Sequence, residues 1–386
     1  MALEIDAPRL SVYVHFPFCA RRCPYCDFAT SAVEDNSIPH EHYADAVIEE
    51  LRHRRDRLEG HELVSIFFGG GTPSMWRASA IGNVIDAIRS SFPSVDDHEV
   101  EVTTECNPAS FDHDKAKAFL DAGVNRFSIG AQSLQPEHLQ FLGRLHAGDD
   151  ALRAVETASK LCDRVSADLI FGMPDHREAQ LVDDLTRLKN AGASHFSVYA
   201  LTIEENTPFG LRHRQGKLRL RDESGFAGLY NAAESHLVAN GFEHYEVSNY
   251  ATPNERSVHN LHYWRSGAYL GLGAGAVGRT YDTEFQPYRW RNSADVEAYI
   301  RGTQGKLAIV DDERLCASTM TDEAIMLGLR TDEGVRFDAL DAQELISRKS
   351  AFARQIERGN LVRDTDRFWV PKSRWLHLDS IVASLF

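Results

Sequence analysis

Residues 11–30 read SVYVHFPFCARRCPYCDFAT, an apolar, aromatic-rich run that breaks into three cysteines, Cys19, Cys23 and Cys26. The segment 10–18 has the composition of a strand. The C-x3-C-x2-C triplet therefore follows directly on a strand end and places its thiols on one short loop. A structural zinc takes four ligands, and no fourth cysteine stands nearby, so a zinc reading needs His15 or another residue to complete the set. Soft thiolates also favour iron–sulfur clusters. A [4Fe–4S] cube held by three cysteines keeps one iron open to an exogenous ligand, which makes the short set a place for chemistry.

Working outward, the remaining cysteines, Cys106, Cys162 and Cys316, are scattered singly and read as small buried residues. This is not a secreted disulfide framework. A reducing, cytoplasmic location is expected. The chain has 386 residues, 43% hydrophobic and 26% charged, the balance of a globular protein. Its net charge of −15 speaks against a nucleic-acid partner, because phosphate binding needs a basic surface. No apolar run approaches the ~18 residues of a membrane span, and the opening MALEIDAPRL lacks the apolar core of a signal peptide.

Strand-like and helix-like segments then alternate. Strands are expected at 10–18, 63–68, 99–105, 126–132, 166–174 and 195–202, with helical patterns at 40–59, 79–92, 136–142, 149–162, 178–192 and 222–240. Gly123 is read as the stop of a further helix between the third and fourth strands. Six such units imply a parallel α/β architecture, a partial (β/α)6 TIM-type barrel. Past residue 242 the pattern changes: FEHYEVSNYA is strand-like, and YLGLGAGAVG (269–278) reads as a glycine-rich loop. From 311 two helical stretches lead into the hairpin-like LVRDTDRFWVP, suggesting a winged-helix-like module. The expected division is a barrel over 1–241, a connecting β/loop region over 242–310 and a small α+β domain over 311–386.

Several motifs in register now carry a resemblance. The triplet with an aromatic, Tyr25, before its third cysteine is the signature of the radical S-adenosylmethionine (SAM) superfamily. Together with FFGGGTPS, ECNP, GVNRFSIGAQS, GRLH, DLIFGMP and VHNLHYW, it resembles the oxygen-independent coproporphyrinogen dehydrogenase group, and within it the HemW heme chaperones. The resemblance covers nearly the whole chain from about residue 10. It implies a radical SAM barrel in which Cys19, Cys23 and Cys26 hold a [4Fe–4S] cluster whose open iron takes SAM. Tyr13, Tyr25, Gly70, Gly71, Thr72, Glu105, Gln132, Arg144 and Asp168 are the implied cofactor contacts. The residues themselves support part of this: glycines let a ligand approach bare backbone, and Glu105 and Gln132 each end an expected strand, where barrel sites collect.

The HNLHYW stretch resembles an H-N-x-x-Y-W pattern associated with heme binding. Imidazole can ligate heme iron and aromatic rings can pack on a porphyrin, which makes His259 the implied heme ligand, with His262, Tyr263 and Trp264 as weaker candidates. Two departures separate carrier from enzyme. The coproporphyrinogen enzyme carries an extra cysteine two positions after the third ligand, where this chain has Phe28, and a longer N-terminal extension. Both favour a chaperone that hands heme to an acceptor protein, which the resemblance implies is one of the respiratory chain, over radical decarboxylation of coproporphyrinogen III. No catalytic residue is assigned. A flavodoxin or ferredoxin is the implied reductant, and the oligomeric state is open.

Overall fold

A computed structural model describes residues 8–94, 100–281 and 286–386. Residue 99 of the strand expected over 99–105 lies outside them, as do the first residues of the N-terminal stretch. The six expected strands are present and pair in parallel in chain order: β1 (Arg9–Phe16), β2 (Glu62–Gly70), β3 (Glu101–Cys106), β4 (Arg126–Gln132), β5 (Val165–Phe171) and β6 (His195–Ala200). Between them run α1 (His40–Arg55), α2 (Ala78–Ser91), α3 (His113–Asp121), α4 (Pro136–Leu142), α5 (Gly148–Ser159) and α6 (Glu178–Asn190); α7 (Pro208–Arg214) and α8 (Glu223–Ala239) follow β6. Helix starts are set locally. Asp112 and Asp222 each accept a hydrogen bond from a first-turn N–H, satisfying donors that the helix itself leaves open.

One face of each strand is apolar. Val12, Val14 and Phe16, then Ile66 and Phe68, Phe127 and Ile129, and Phe196 and Val198 belong to one buried core. The opposite face is unusual for a parallel sheet, whose strands are normally apolar on both sides. It carries Ser11, Ser65, Glu101, Glu105, Ser128, Ser166, Asp168 and Ser197, cross-linked by side-chain bonds such as Ser11–Ser65 at 2.7 Å and Ser128–Asp168 at 2.7 Å. Glu105, Ser128, Asp168 and Ser197 of this face line one cavity.

The stretch read as a connecting region adds strands at both edges of the same sheet. On one side β7 (Glu243–Glu246) and β8 (Asn249–Ala251) form a hairpin, with β8 antiparallel to β6. After α9 (Val258–Trp264), β9 (Ala268–Leu272) pairs in parallel with β1 on the other side. From there β10 (Val277–Tyr281), β11 (Pro287–Asn292) and β12 (Ile309–Arg314) continue antiparallel, with α10 (Val296–Thr303) inserted before β12. The order is β12-β11-β10-β9-β1-β2-β3-β4-β5-β6-β8-β7, an open sheet of twelve strands. Its last strand crosses the expected boundary at 310.

The glycine-rich 269–278 is thus not a loop but two strands around a tight turn. Its glycines serve close packing: a Cβ at Gly271 would lie 2.0 Å from the Val277 carbonyl oxygen, and Gly273, at φ +101°, abuts the backbone of His15. At the C-terminus, α11 (Ala317–Gly328), β13 (Val335–Arg336), α12 (Ala342–Glu357), β14 (Val362–Arg363), β15 (Arg367–Trp369) and α13 (Leu378–Ala383) follow in order. The three strands make a separate antiparallel sheet ordered β13-β15-β14.

Candidate functional site

The loop after β1 turns back on itself, with Phe18–Cys19 pairing in parallel with Ser31–Ala32 and the Cys26 N–H donating to the Cys23 carbonyl at 3.2 Å. His15 fixes where this loop returns. Its Nε2 donates to the Ala29 carbonyl at 2.9 Å, so its Nδ1 is the acceptor of the Tyr13 hydroxyl at 3.0 Å. With both nitrogens engaged, His15 is not available as a fourth metal ligand.

Cys19, Cys23 and Cys26 line one cavity of about 540 Å³ in the polar interior of the sheet. Tyr25, Gly70, Gly71, Thr72, Glu105, Gln132, Arg144 and Asp168 line the same cavity. Of the expected cofactor contacts only Tyr13 is not on its wall; the Tyr13 ring stacks on Phe67 at 6.2 Å, and its hydroxyl is spent on His15. Among the described residues no three His, Cys, Asp or Glu side chains converge as ligands of a single ion. All three cysteines share the wall of one hollow, as three-thiolate ligation of a polynuclear centre requires. Burial raises the pKa values of Cys19 and Cys26, and the neighbouring thiolate charges raise them further. Several thiolates facing one another in a protected hollow are costly without a cationic centre between them.

The glycine run follows β2 across the end of β1. The Gly71 N–H donates to Phe16 O at 2.7 Å and the Thr72 N–H to Phe18 O at 2.8 Å. Gly70 has φ +108°, and a Cβ there would overlap the His15 ring at 2.5 Å. Only glycine lets the chain turn over His15 and present bare backbone to the cavity. Across the cavity, Gln132 sits past a register shift in β4 with φ +63°, a sparsely populated conformation for a residue with a side chain. Its amide folds back over Gly130, 2.9 Å from where a Cβ would lie. Arg144 donates to the Gly130 carbonyl at 3.0 Å and reaches the Cys23 sulfur at 3.8 Å.

Two carboxyls share this space in different settings. Asp168 accepts from Ser128 at 2.7 Å and Ser166 at 3.0 Å; burial raises its pKa, while these bonds and Arg126 oppose the rise. Glu105 accepts one bond, from the Gly70 N–H at 3.2 Å, and is pushed up to about 8 by burial and then by the charge of Asp168. The cavity also exposes residues that the sequence reading passed over: Arg126, Ser128, His195, Ser197 and Asn260. A signal for the first four existed, in the small or charged polar residues alternating with apolar ones in RFSIG and HFSVYA.

The heme candidates do not gather at this cavity. His259 is buried at the N-terminal end of the strands, with Nδ1 bonded to Ser65 Oγ at 2.9 Å and its ring 4.9 Å from Phe67; burial lowers its pKa to about 4. Glu101, fully buried, anchors that turn by accepting from the N–H groups of Val258 at 3.1 Å and His259 at 2.9 Å. His262 is also buried, and its Nε2 bonds the Ala268 carbonyl at 2.8 Å. The Tyr263 ring packs edge to face with Trp264 at 5.3 Å and is half-exposed. α9 packs against β1, β2 and β9, and each of its histidines has one ring nitrogen engaged by these contacts.

Comparison with known proteins matches this geometry. The radical SAM superfamily model aligns with residues 13–208. The heme chaperone HemW of Escherichia coli is 38% identical over 276 residues, 71% of each chain, and the HemW of Lactococcus lactis is 32% identical over 90% of this chain and 88% of its own. A mouse mitochondrial radical S-adenosyl methionine domain-containing protein 1 is 36% identical over 86% of this chain and 75% of its own. Coproporphyrinogen III oxidase (HemN) from E. coli superposes with a TM-score of 0.80 over 98% of this chain and 90% of that one, at 18% identity. Among the described residues no helix is long and apolar enough to cross a membrane. The chain shares its fold with HemN and belongs to the radical SAM superfamily, in the family of the HemW heme chaperones.

Proposed function

We propose that this protein is a heme chaperone: it holds a [4Fe–4S] cluster with SAM in the barrel cavity, binds heme and passes it to an acceptor protein. Membership of the superfamily implies the cluster and SAM; heme as cargo is the further step. When bound, the cluster supplies a low-potential electron next to the SAM sulfonium. In this reading Cys19, Cys23 and Cys26 hold the cluster, the backbone of Gly70, Gly71 and Thr72 accepts from the SAM ammonium, and Glu105, Gln132, Arg144 and Asp168 orient the rest of the cofactor. The carboxyls suit it: SAM brings positive charge to a space where Glu105 has one hydrogen bond.

The observation that carries the chaperone reading is Phe28. It lies on the cavity wall, 60% exposed, two positions after the last cluster cysteine. A cysteine there would be a thiol able to donate a hydrogen atom or a proton. Phenylalanine can do neither and instead offers apolar surface to a flat macrocycle. The named function of the E. coli and L. lactis relatives points the same way.

The test is anaerobic reconstitution with iron and sulfide, followed by two assays on one sample. Hemin titration, read at the Soret band, is expected to reach stoichiometric binding, and coproporphyrinogen III is expected to be recovered unchanged. Formation of protoporphyrinogen IX without stable heme binding would instead make the protein a heme-biosynthetic decarboxylase in which Phe28 is a tolerated change.

A further inference from the structure

We propose that the hollow between α4 and the turn joining β5 to α6 is a site for one soft monovalent metal ion, copper(I), held by His138, His176 and Met173. The hollow, of about 440 Å³, shares no lining residue with the barrel cavity. His138 of α4 and Met173 stand on its wall. His176 closes a turn with Met173, its N–H donating to the Met173 carbonyl at 3.2 Å, so these two side chains leave the two ends of one tight turn. The imidazoles of His138 and His176 meet with ring centroids 4.3 Å apart and planes tilted by 52°. His176 is fully buried, and among the described residues neither of its ring nitrogens has a hydrogen-bond partner. Buried polar atoms are almost always paired, so this ring calls for a partner that no side chain supplies.

The tautomer of His138 is set by its neighbours. Ser133 Oγ donates its proton to Asp184 Oδ2 at 2.8 Å. His138 Nδ1, 3.3 Å from the same Oγ, must then be the donor of their bond, which leaves the free lone pair on Nε2. A carboxylate that fixes an imidazole through its far nitrogen is the usual way a ligating histidine is oriented; here Asp184 acts through one hydroxyl. Burial lowers both histidine pKa values and so favours the neutral, ligating form. The donor set then selects the ion. Two imidazoles and a thioether form an uncharged, soft to borderline set that suits copper(I), and it needs no third His, Cys, Asp or Glu. Glu137, on the same wall, is engaged by Gln180 at 2.7 Å. Uncharged donors leave the ion's charge uncompensated, and a buried place bears one positive charge at less cost than two.

The test titrates copper(I), delivered anaerobically as its acetonitrile complex, into the full-length reconstituted protein, with bicinchoninate as the competing chelator. Copper(I) also binds free thiols, so the reading is the difference between proteins of identical cysteine content, and it does not depend on the cluster. Wild type should hold one equivalent more than His176→Phe, and loading should raise the melting temperature of wild type alone. Phenylalanine fills the buried space without an unpaired nitrogen, so the variant should fold without copper at least as well as wild type. Ser133→Ala, which removes no donor, should weaken binding roughly 10- to 100-fold. Met173→Leu, close in volume, should also weaken it, and the copper-edge X-ray absorption of wild type should lose one sulfur neighbour in that variant. Equal copper uptake by wild type, His176→Phe and Ser133→Ala would overturn the site. Uptake that needs His176, is unchanged in Met173→Leu and is matched by zinc would overturn the assignment to copper(I).

Discussion

Glu105 and Asp168 line one buried cavity, but they do not bear burial equally. Asp168 has hydroxyl donors and a nearby guanidinium, whereas Glu105 has one backbone N–H, so Glu105 is the group pushed up to about 8. A folded-state pKa raised above the unfolded value means that the associated stability is complete below the ordinary carboxylate range and is lost as pH rises toward 8. Ligand-free wild type should therefore lose thermal stability between about pH 5 and about pH 9, while Glu105→Gln stays flatter, the difference amounting to about 1–4 kcal/mol. Parallel melting curves for the two proteins across that range would remove Glu105 as the buried charge. At the loop, Cys23→Ala should abolish the cluster's absorbance and its electron paramagnetic resonance signal, since two thiolates do not hold a cubane; a normally assembled cluster would break the three-ligand assignment. His259→Ala removes the bond to Ser65 and the ring against Phe67, and should cost about 2–4 kcal/mol in urea unfolding while leaving the Soret band of bound heme in place. A lost Soret band with unchanged stability would return the ligand to His259.

At the scale of elements, the glycine run between β2 and the cavity shows how local geometry sets the site. A Cβ on Gly71 would lie 2.4 Å from the Phe18 carbonyl, backbone against backbone, so neither side can yield without moving the cysteine loop. Gly71→Ala should cost about 2–4 kcal/mol and weaken SAM binding by equilibrium dialysis. Gly216→Ala, at φ +66° with nothing within 4 Å, carries only backbone strain and should cost about 1 kcal/mol with SAM binding intact. If the two variants behaved alike, close approach would not be what Gly71 provides. The strand–helix alternation, the cysteine triplet and this glycine run were all legible in the sequence, because each is a short-range pattern. The GLGAGAV strands were not, because small residues chosen for close packing carry no strand propensity of their own. Gln132 could be named as a strand end, but the bulge and positive φ that aim it depend on the pairing of β4 with β5. The HNLHYW helix was visible as a motif but its packing was not, because its partners Glu101 and Ser65 lie 158 and 194 residues from His259.

For the whole molecule, the sheet and the C-terminal module are bound by contacts that a domain boundary at 311 would cut. The Val247 N–H donates to Arg330 O at 2.9 Å, the Asp332 N–H to Tyr245 O at 3.0 Å, and Arg256 grips Asp332 with bonds of 3.1 and 2.9 Å. Trp375, 1% exposed, stands edge-on to His244 of β7 at 4.6 Å and donates its indole N–H to Val370 O at 3.0 Å. The cluster loop lies at the other end of the chain's contacts: none of these residues lines the cavity. Stability and cluster assembly should therefore separate. Trp375→Ala empties a large buried volume next to the edge of the sheet and should cost about 3–5 kcal/mol. A chain ended after Arg314 leaves the β7 edge and its hydrogen-bonding groups open, and should melt lower still and aggregate on warming. Reconstituted in the cold, both should nonetheless take up the same iron and sulfide per chain as wild type and show the same SAM-dependent change in the cluster's resonance spectrum. Loss of cluster assembly in Trp375→Ala, at a temperature where its circular dichroism is native, would mean that the module shapes the cysteine loop from a distance and is part of the site rather than a brace for the sheet that carries it.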